Sequence, residues 1–426
     1  MKRKKIVFIS FCVSSTGELS FFLQLSRSID YEKMDIELYV HSSQKYLVSG
    51  FRGEVIDFDW KDGNFTVKEK IFLERNDIDG VIFLDLQASF EEGVFLSEKE
   101  IDKIYLFWEK LHKKGVFVGV MDYFTNFEAS TLDIENNILK AKQEIDVLFF
   151  RLLSNNVKPA TLSFLKQYYY RKVEKGIWFL PSYIFAIRPV PFTWPIEEKK
   201  EKNVFYVKIN MFSSQISNNY SPIEEKKFVI FVLSKFMKFS QTPEDLRKIF
   251  YYVLNRLLEF IEVEEVKVID PIGFIEDGKY GKIDISSYEW VDRNVFNCWL
   301  SQAKSVFSFV PYAFTGLYTI LKKNYFVAIS SSQPSFLIDF KEGALSKPFL
   351  KFHAMGIVSD LVFFHRLIEK NPYFDCVGKI DMGDIESYKR VFYDIENGAL
   401  LSNIERYLSL LEKLSIPDFG ELLEVL

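Results

Sequence analysis

The sequence predicts an α/β protein built of two doubly wound parallel sheets in series. Three observations carry that expectation. Short β-branched runs alternate with helix-patterned segments from residue 6 to residue 150. The same alternation resumes at Lys227, and a stretch rich in proline and charge, Leu180–Lys202, lies between the two series. Parallel strands buried on both faces read as unbroken apolar runs, and each needs a crossover helix to reach the next. A chain of 426 residues also exceeds what one core ordinarily organises. Two Rossmann-type domains are therefore expected, 1–195 and 200–400, with terminal helices in 401–426 returning to the first.

The first series opens with the apolar run Ile6–Val13, which breaks at Ser14-Ser15-Thr16-Gly17-Glu18 and resumes at helical spacing through Leu19, Phe22, Leu23 and Ile29. Gly17 permits a tight turn, and the three hydroxyls offer caps to the free N–H groups of the helix start. That is the first half of a βαβ unit, and its loop lies at the carboxyl end of strand one, where open α/β sheets hold ligands. Ser14, Ser15, Thr16 and Gly17 are thus candidate ligand-side residues. Further strands are expected at Asp35–His41, Glu54–Trp60, Gly80–Leu86, Val116–Phe124 and Asp146–Phe150, with a helix that stops at Gly115 between two of them. Pro181, Pro189, Pro191 and Pro195 mark an extended exit, and the segment Pro189–Lys202 reads as a hinge.

The second series begins with a strand in Lys227–Phe236. Thr242 is placed to cap a helix with Pro243 at its first position, followed by an apolar stripe from Leu246 to Ile261. Strands are expected in "VKVIDP", "GKIDISSYEWV", "VFSFV" and "FVAIS", a helix in "NVFNCWLSQAKS", and a last helix with Ser402 and Glu405 as its capping box.

Composition excludes several classes. With 54 Lys and Arg against 59 Asp and Glu, the net charge of −5 offers no general attraction to nucleic acid or to an anionic membrane. Cys12, Cys298 and Cys376 are too scattered for a disulfide framework or a zinc site, and the four histidines show no ligand spacing. The start "MKRKK" with its apolar run imitates a secretory signal, but no A-x-A-like cleavage site follows. No stretch approaches the ~18 apolar residues of a spanning helix. A soluble, cytoplasmic protein without an integral membrane segment is expected. Asp57-Phe58-Asp59 spells D-x-D but closes a strand, and His353 reads as a packed or loop histidine.

The densest local signal runs from Ser286 to Gln333: strand, Trp-Val, short amphipathic helix, strand, Thr-Gly helix start, strand, and a polar loop with Gln. This order resembles the donor half of GT-B glycosyltransferases, the class that includes the peptidoglycan N-acetylglucosaminyltransferase and antibiotic glycosyltransferases. Its members read W-V-(P), A-D, (H)-G-G-x-G-T, G-x-P and (D/E)-Q in that order. Trp290-Val291 falls on the base-side W-V, Ala303-Lys304-Ser305 on A-D, Thr315-Gly316 on the phosphate-binding turn, and Gln333 on the acid–Gln pair that reaches the sugar. Only Gly316 remains of the glycine pair, Lys323-Asn324-Tyr325 stands in place of G-x-P, and Ser332 precedes Gln333. At the other end, Gly17-Glu18 stands where the same families place Gly-His, whose histidine is often the catalytic base.

The resemblance implies two Rossmann-type domains facing a central cleft and transfer of a sugar from a nucleotide-activated donor to an acceptor: a small molecule, a glycan or a peptide. Trp290, Val291, Thr315, Gly316, Thr319 and Gln333 would bind the donor, Ser14, Ser15, Thr16 and Gly17 would line the acceptor side of the cleft, and Glu18 would serve as the base. No metal and no cofactor are expected, since helix termini and side chains can hold the leaving diphosphate. The rival readings are a nucleotide-sugar epimerase of the same architecture and a GT-B-like binding partner without turnover.

Overall fold

A computed structural model describes residues 3–11, 17–58, 65–85, 98–123, 127–128, 178–179, 181–190, 203–208, 227–233, 243–309, 314–330 and 371–426, with the isolated positions 139, 142, 143, 146 and 194. The chain divides into two compact units. Met1–Lys140, Arg171–Asn218 and Ser415–Leu426 form the first, and Ala141–Tyr170 with Asn219–Leu414 the second.

The first unit is built on a seven-stranded sheet. Its strands are β1 (Lys4–Ile9), β2 (Met34–Val40), β3 (Glu54–Asp57), β4 (Gly80–Phe83), β5 (Phe117–Met121), β8 (Phe185–Val190) and β9 (Val204–Lys208). The order is β3-β2-β1-β4-β5-β8-β9, and every pairing is parallel. A separate two-residue pair, β6 (Phe127–Glu128) and β7 (Trp178–Phe179), stands outside that sheet. Helices α1 (Gly17–Leu25), α2 (Phe65–Glu74) and α3 (Glu98–Lys113) lie between strands in the chain. Ile104, Phe107, Trp108 and Leu111 of α3 recur at helical spacing and are buried against Val81, Phe83 and Val118 of the sheet.

Within the expected exit, Phe185–Val190 is instead a strand of the sheet. The physical reason is that Ala186, Ile187, Val190 and Val207 are apolar enough to be buried, and Pro189 sits where it costs little. It falls beyond the last register pair with β5, Met121↔Ile187, so its missing N–H interrupts no pairing among the described residues. The sheet continues past Pro195 through β9, whose Val207 pairs with Pro189.

The second unit repeats the plan. Its strands are β10 (Phe228–Val232), β11 (Glu265–Ile269), β12 (Gly278–Tyr280), β13 (Ile283–Tyr288), β14 (Val306–Ser308), β15 (Phe326–Ser330) and β16 (Val377–Asp381). The order is β12-β13-β11-β10-β14-β15-β16, parallel except for the edge hairpin β12–β13. Helices α4 (Pro243–Leu257), α5 (Arg293–Gln302), α6 (Phe314–Leu321), α7 (Ile385–Glu396) and α8 (Ala399–Lys413) complete it. Pro243 opens α4 as expected; Thr242 lies outside the described residues. Ser402 is not a cap: α8 starts earlier, at Ala399 after Gly398 in the left-handed region, and the Ser402 N–H donates to Gly398 O. The capping box belongs to α9 (Phe419–Val425), where Asp418 and Glu421 exchange side-chain-to-backbone bonds.

Helix α9 packs on the first unit. The Phe419 ring lies 5.9 Å from Phe8 and 6.4 Å from Phe22, Lys33 Nζ is 2.9 Å from Glu424 Oε1, and the Lys208 N–H donates to Pro417 O. A side chain at Gly420 would collide with the Ser28 carbonyl, so only glycine allows this approach.

One ionic network braces the first sheet. Arg75 donates to both oxygens of the buried Glu37 at 2.7 and 2.8 Å and forks to both oxygens of Asp77, while Lys5 Nζ reaches Glu37 at 3.0 Å and Asp77 at 3.1 Å. Burial pushes the Glu37 carboxyl up, but the Arg75 and Lys5 hydrogen bonds together outweigh it and hold it below its ordinary 4.5. The Arg75 hydrogen bond holds Asp77 well below its ordinary 3.8. Burial and the neighbouring Glu37 push the Tyr39 hydroxyl up to about 12. Depressed carboxyls add stability that is present above their unfolded pKa and lost as pH falls through the folded one. Arg75→Met is therefore expected to cost about 3 kcal/mol at neutral pH, because a buried charge loses its main partner. The gap to the parent chain should narrow on acidification below about pH 4, as Glu37 takes up its proton. Urea unfolding at the two pH values checks this, and a gap that widens in acid would contradict it.

Candidate functional site

In a doubly wound sheet the strand order reverses beside the first strand, and the loops there splay apart at the carboxyl edge. Each unit has one such point: between β1 and β4 in the first, between β10 and β14 in the second.

At the switch point of the first unit, β1 runs out through Ser10 and Phe11, and α1 begins at Gly17. Glu18, the second residue of α1, is only 7% exposed. Ser14, Ser15 and Thr16 lie outside the described residues. The sequence reading missed Asp85, which stands two residues past the end of β4 and is buried. It accepts from the Phe11 N–H at 2.7 Å and from the Ser10 hydroxyl, tying the exit of β1 to the exit of β4. One strand further on, Asp122 follows β5 and pairs with the buried Arg188 of β8 at 2.8 Å. Two buried carboxylates thus stand at the ends of adjacent strands. The signal was in the sequence: "IFLD" and "GVMD" each end an apolar run on an aspartate. Such a residue can accept the first N–H groups that the ladder leaves free.

In the second unit the same device recurs at β11. Asp270 is buried and accepts from the N–H groups of Ile272, Gly273, Phe274 and Ile275, which fixes the following loop. The segment after β13 carries Trp290, 62% exposed, and the half-buried Val291 just before α5. At the switch point itself the Ser308 hydroxyl donates to Val232 O, joining β14 to β10. Helix α6 follows β14, with Thr315 half-buried in its first turn.

Gly316 and Thr319 face inward. A Cβ on Gly316 would lie 2.6 Å from both Phe326 Cε1 and Tyr373 Oη, so the glycine lets α6 close on β15. The buried Thr319 hydroxyl donates to Thr315 O at 2.7 Å, one turn back in its own helix. Both residues position the helix start that carries Thr315. Gln333, Asp59 and His353 lie outside the described residues; Asp57 pairs with Lys45 on the surface of the first unit. Trp290-Val291 and the start of α6 share one sheet edge, separated by the strands β11 and β10. With strands ~4.8 Å apart, β13 and β14 end roughly 14 Å from each other. That is the scale of an extended nucleoside diphosphate. Among the described residues no group of His, Cys, Asp or Glu is placed to hold a metal ion, and no helix is long and apolar enough to cross a membrane.

Two doubly wound sheets of order 3-2-1-4-5 in one chain define the GT-B architecture, and this chain has it. The calicheamicin glycosyltransferase CalG4 superposes with a TM-score of 0.54 at 13% identity, covering 100% of this chain and 98% of that one. The glycotransferase of kitacinnamycin superposes with a TM-score of 0.52 at 12% identity, with the same coverage of 100% and 98%. No protein-family model and no curated protein matches the sequence.

Proposed function

We propose that the chain transfers a sugar from a nucleotide-activated donor to an acceptor, with the donor bound by the second unit. The observation that carries this reading is the exposed Trp290 at the end of β13, on the same sheet edge as the start of α6, within a GT-B fold. The base stacks on Trp290, since every base offers an apolar face to an aromatic ring. The diphosphate lies at the α6 start, where free N–H groups and the helix dipole favour negative charge. Thr315 adds a hydroxyl donor there. As the sugar leaves, these same groups stabilise the charge that builds on the diphosphate. In the first unit, Glu18 takes the proton of the attacking acceptor hydroxyl, and Asp85 holds the exit of β1 in place.

The test is a thermal-shift screen of the whole chain with nucleoside diphosphates and nucleotide sugars, followed by product analysis with the sugar that responds. A ligand at a hundred times its Kd raises stability by about 2.7 kcal/mol, an easily read shift. Trp290→Ala is expected to abolish the response while leaving the unliganded midpoint unchanged, because the ring is largely in solvent. A transferred sugar supports the proposal. An epimerised donor, or binding without product, replaces it with one of the rival readings, and the absence of any nucleotide response overturns the donor site.

A further inference from the structure

Beside Trp290 in the chain stands the exposed Glu289. Its Oε1 lies only 3.3 Å from where a Cβ of Gly273 would sit, so the side chain is laid against the β11–β12 loop. Gly273 has φ +69, a conformation that already favours glycine, and a side chain there would crowd the carboxylate. The loop cannot swing away, because Asp270 holds four of its successive N–H groups. Yet no hydrogen bond or ion pair joins Glu289 to another described residue. Glu289 is itself exposed, directly follows β13, and is next in the chain to the exposed Trp290.

We infer that Glu289 reads the edge of the donor's base and selects guanine, an inference that rests on the donor site proposed above. An ionised carboxylate only accepts hydrogen bonds, through two parallel oxygens. Guanine presents two adjacent donors on its Watson–Crick edge, the ring N1–H and the exocyclic N2 amino group, and so matches both oxygens at once. Uracil and thymine present one N–H between two carbonyl oxygens, which repel a carboxylate. Adenine and cytosine each offer one amino group beside a ring acceptor. Stacking on Trp290 is indifferent to these distinctions, since all bases have a face. Edge contacts therefore decide, and a bidentate charge-assisted pair is the strongest of them. Glu289 and Trp290 are neighbours in the chain, and the inference has the base lie on the ring with its edge toward the carboxylate.

Calorimetric titration of the full chain with GDP, UDP, dTDP, ADP and CDP tests this. GDP is expected to bind tightest, by about ten- to a hundredfold, the range of hydrogen bonds to a charged group. Glu289→Gln, an exposed and isosteric change, should bring GDP to within about threefold of the others, whereas Trp290→Ala should weaken all five. A pyrimidine or adenine nucleotide binding as tightly as GDP overturns the inference and leaves the donor site standing. A guanine preference that survives Glu289→Gln overturns the assignment to this residue. Failure of every nucleotide to bind overturns the donor site and this inference together.

Discussion

Gly316→Ala is expected to lower the unfolding midpoint of the second unit markedly, although alanine is the better helix former. The two effects can be weighed. Replacing glycine by alanine inside a helix contributes about 0.8–1.0 kcal/mol in favour of the variant. Against this, the new methyl would sit 2.6 Å from Phe326 Cε1, 2.7 Å from Phe326 Cδ1 and 2.6 Å from Tyr373 Oη, where ordinary contact begins at 3.4 Å. Neither neighbour can withdraw cheaply. Phe326 begins β15, which is paired on both sides, and the Tyr373 backbone is tied by its N–H to Asn371 Oδ1. Overpacking of a filled core costs about 1–3 kcal/mol and occasionally more, so the clash wins. The strain would push α6 off the sheet and displace Thr315, and donor affinity should fall with it. Chemical unfolding, followed in the transition that belongs to the second unit, gives the cost. Combining Gly316→Ala with Phe326→Leu should recover more than about 0.5 kcal/mol, the coupling expected of residues in contact. A single variant with the parent midpoint would show that α6 has slack, and that this glycine does something other than permit close packing.

The same glycine shows how far the sequence was legible. The alternation of strand and helix was plain, because parallel strands must be apolar on both faces, and β1, β4, β5, β10, β11, β14 and β15 fall in the expected runs. What hid β8 was proline and charge in the same stretch, and β9, just past it, was not read as a strand. Local chemistry there signals a linker, and only the tertiary position, past the last pairing with β5, explains why Pro189 is tolerated. Strand β12 was not read at all, since Gly278–Tyr280 carries little apolar content and gains its order from pairing with β13. Ser402 and Glu405 had the capping-box spacing, but the helix had already begun one turn earlier on the left-handed Gly398. At the candidate site, motif position put Thr315, Gly316 and Thr319 at one helix start without showing that Gly316 and Thr319 are buried. Helical phase relative to β15 decides that, and it is a property of the packed structure. Asp85, Asp122 and Asp270 escaped notice because each looks like a common strand-end aspartate until its burial and its partners are known.

Glu18→Gln is expected to reduce turnover by about 10²–10⁴ while leaving donor affinity intact, the range that a positioned general base contributes. In the proposed reaction the attacking hydroxyl of an acceptor loses its proton as the new bond forms, and the group that takes it stands at the carboxyl edge of the first sheet. Glu18 does: it is the second residue of α1, reached from β1 through the loop that begins at Phe11, and it is buried. Glutamine keeps the size of the side chain and its capacity to accept one hydrogen bond from the helix start, but it cannot accept a proton. A residue that merely caps the helix would therefore lose little on this substitution. A catalytic base would lose nearly everything, and the rate would cease to depend on pH along its acid limb. Asp85 supplies the contrast. It is also buried at this switch point, but it already accepts from the Phe11 N–H and the Ser10 hydroxyl, so Asp85→Asn should loosen the β1 exit and disturb binding and turnover together. Parent-like turnover in Glu18→Gln would remove the base from Glu18, and a loss of turnover in Asp85→Asn with binding intact would transfer it to Asp85. Loss of cooperative unfolding in Glu18→Gln itself would assign Glu18 to the structure of α1 rather than to the reaction.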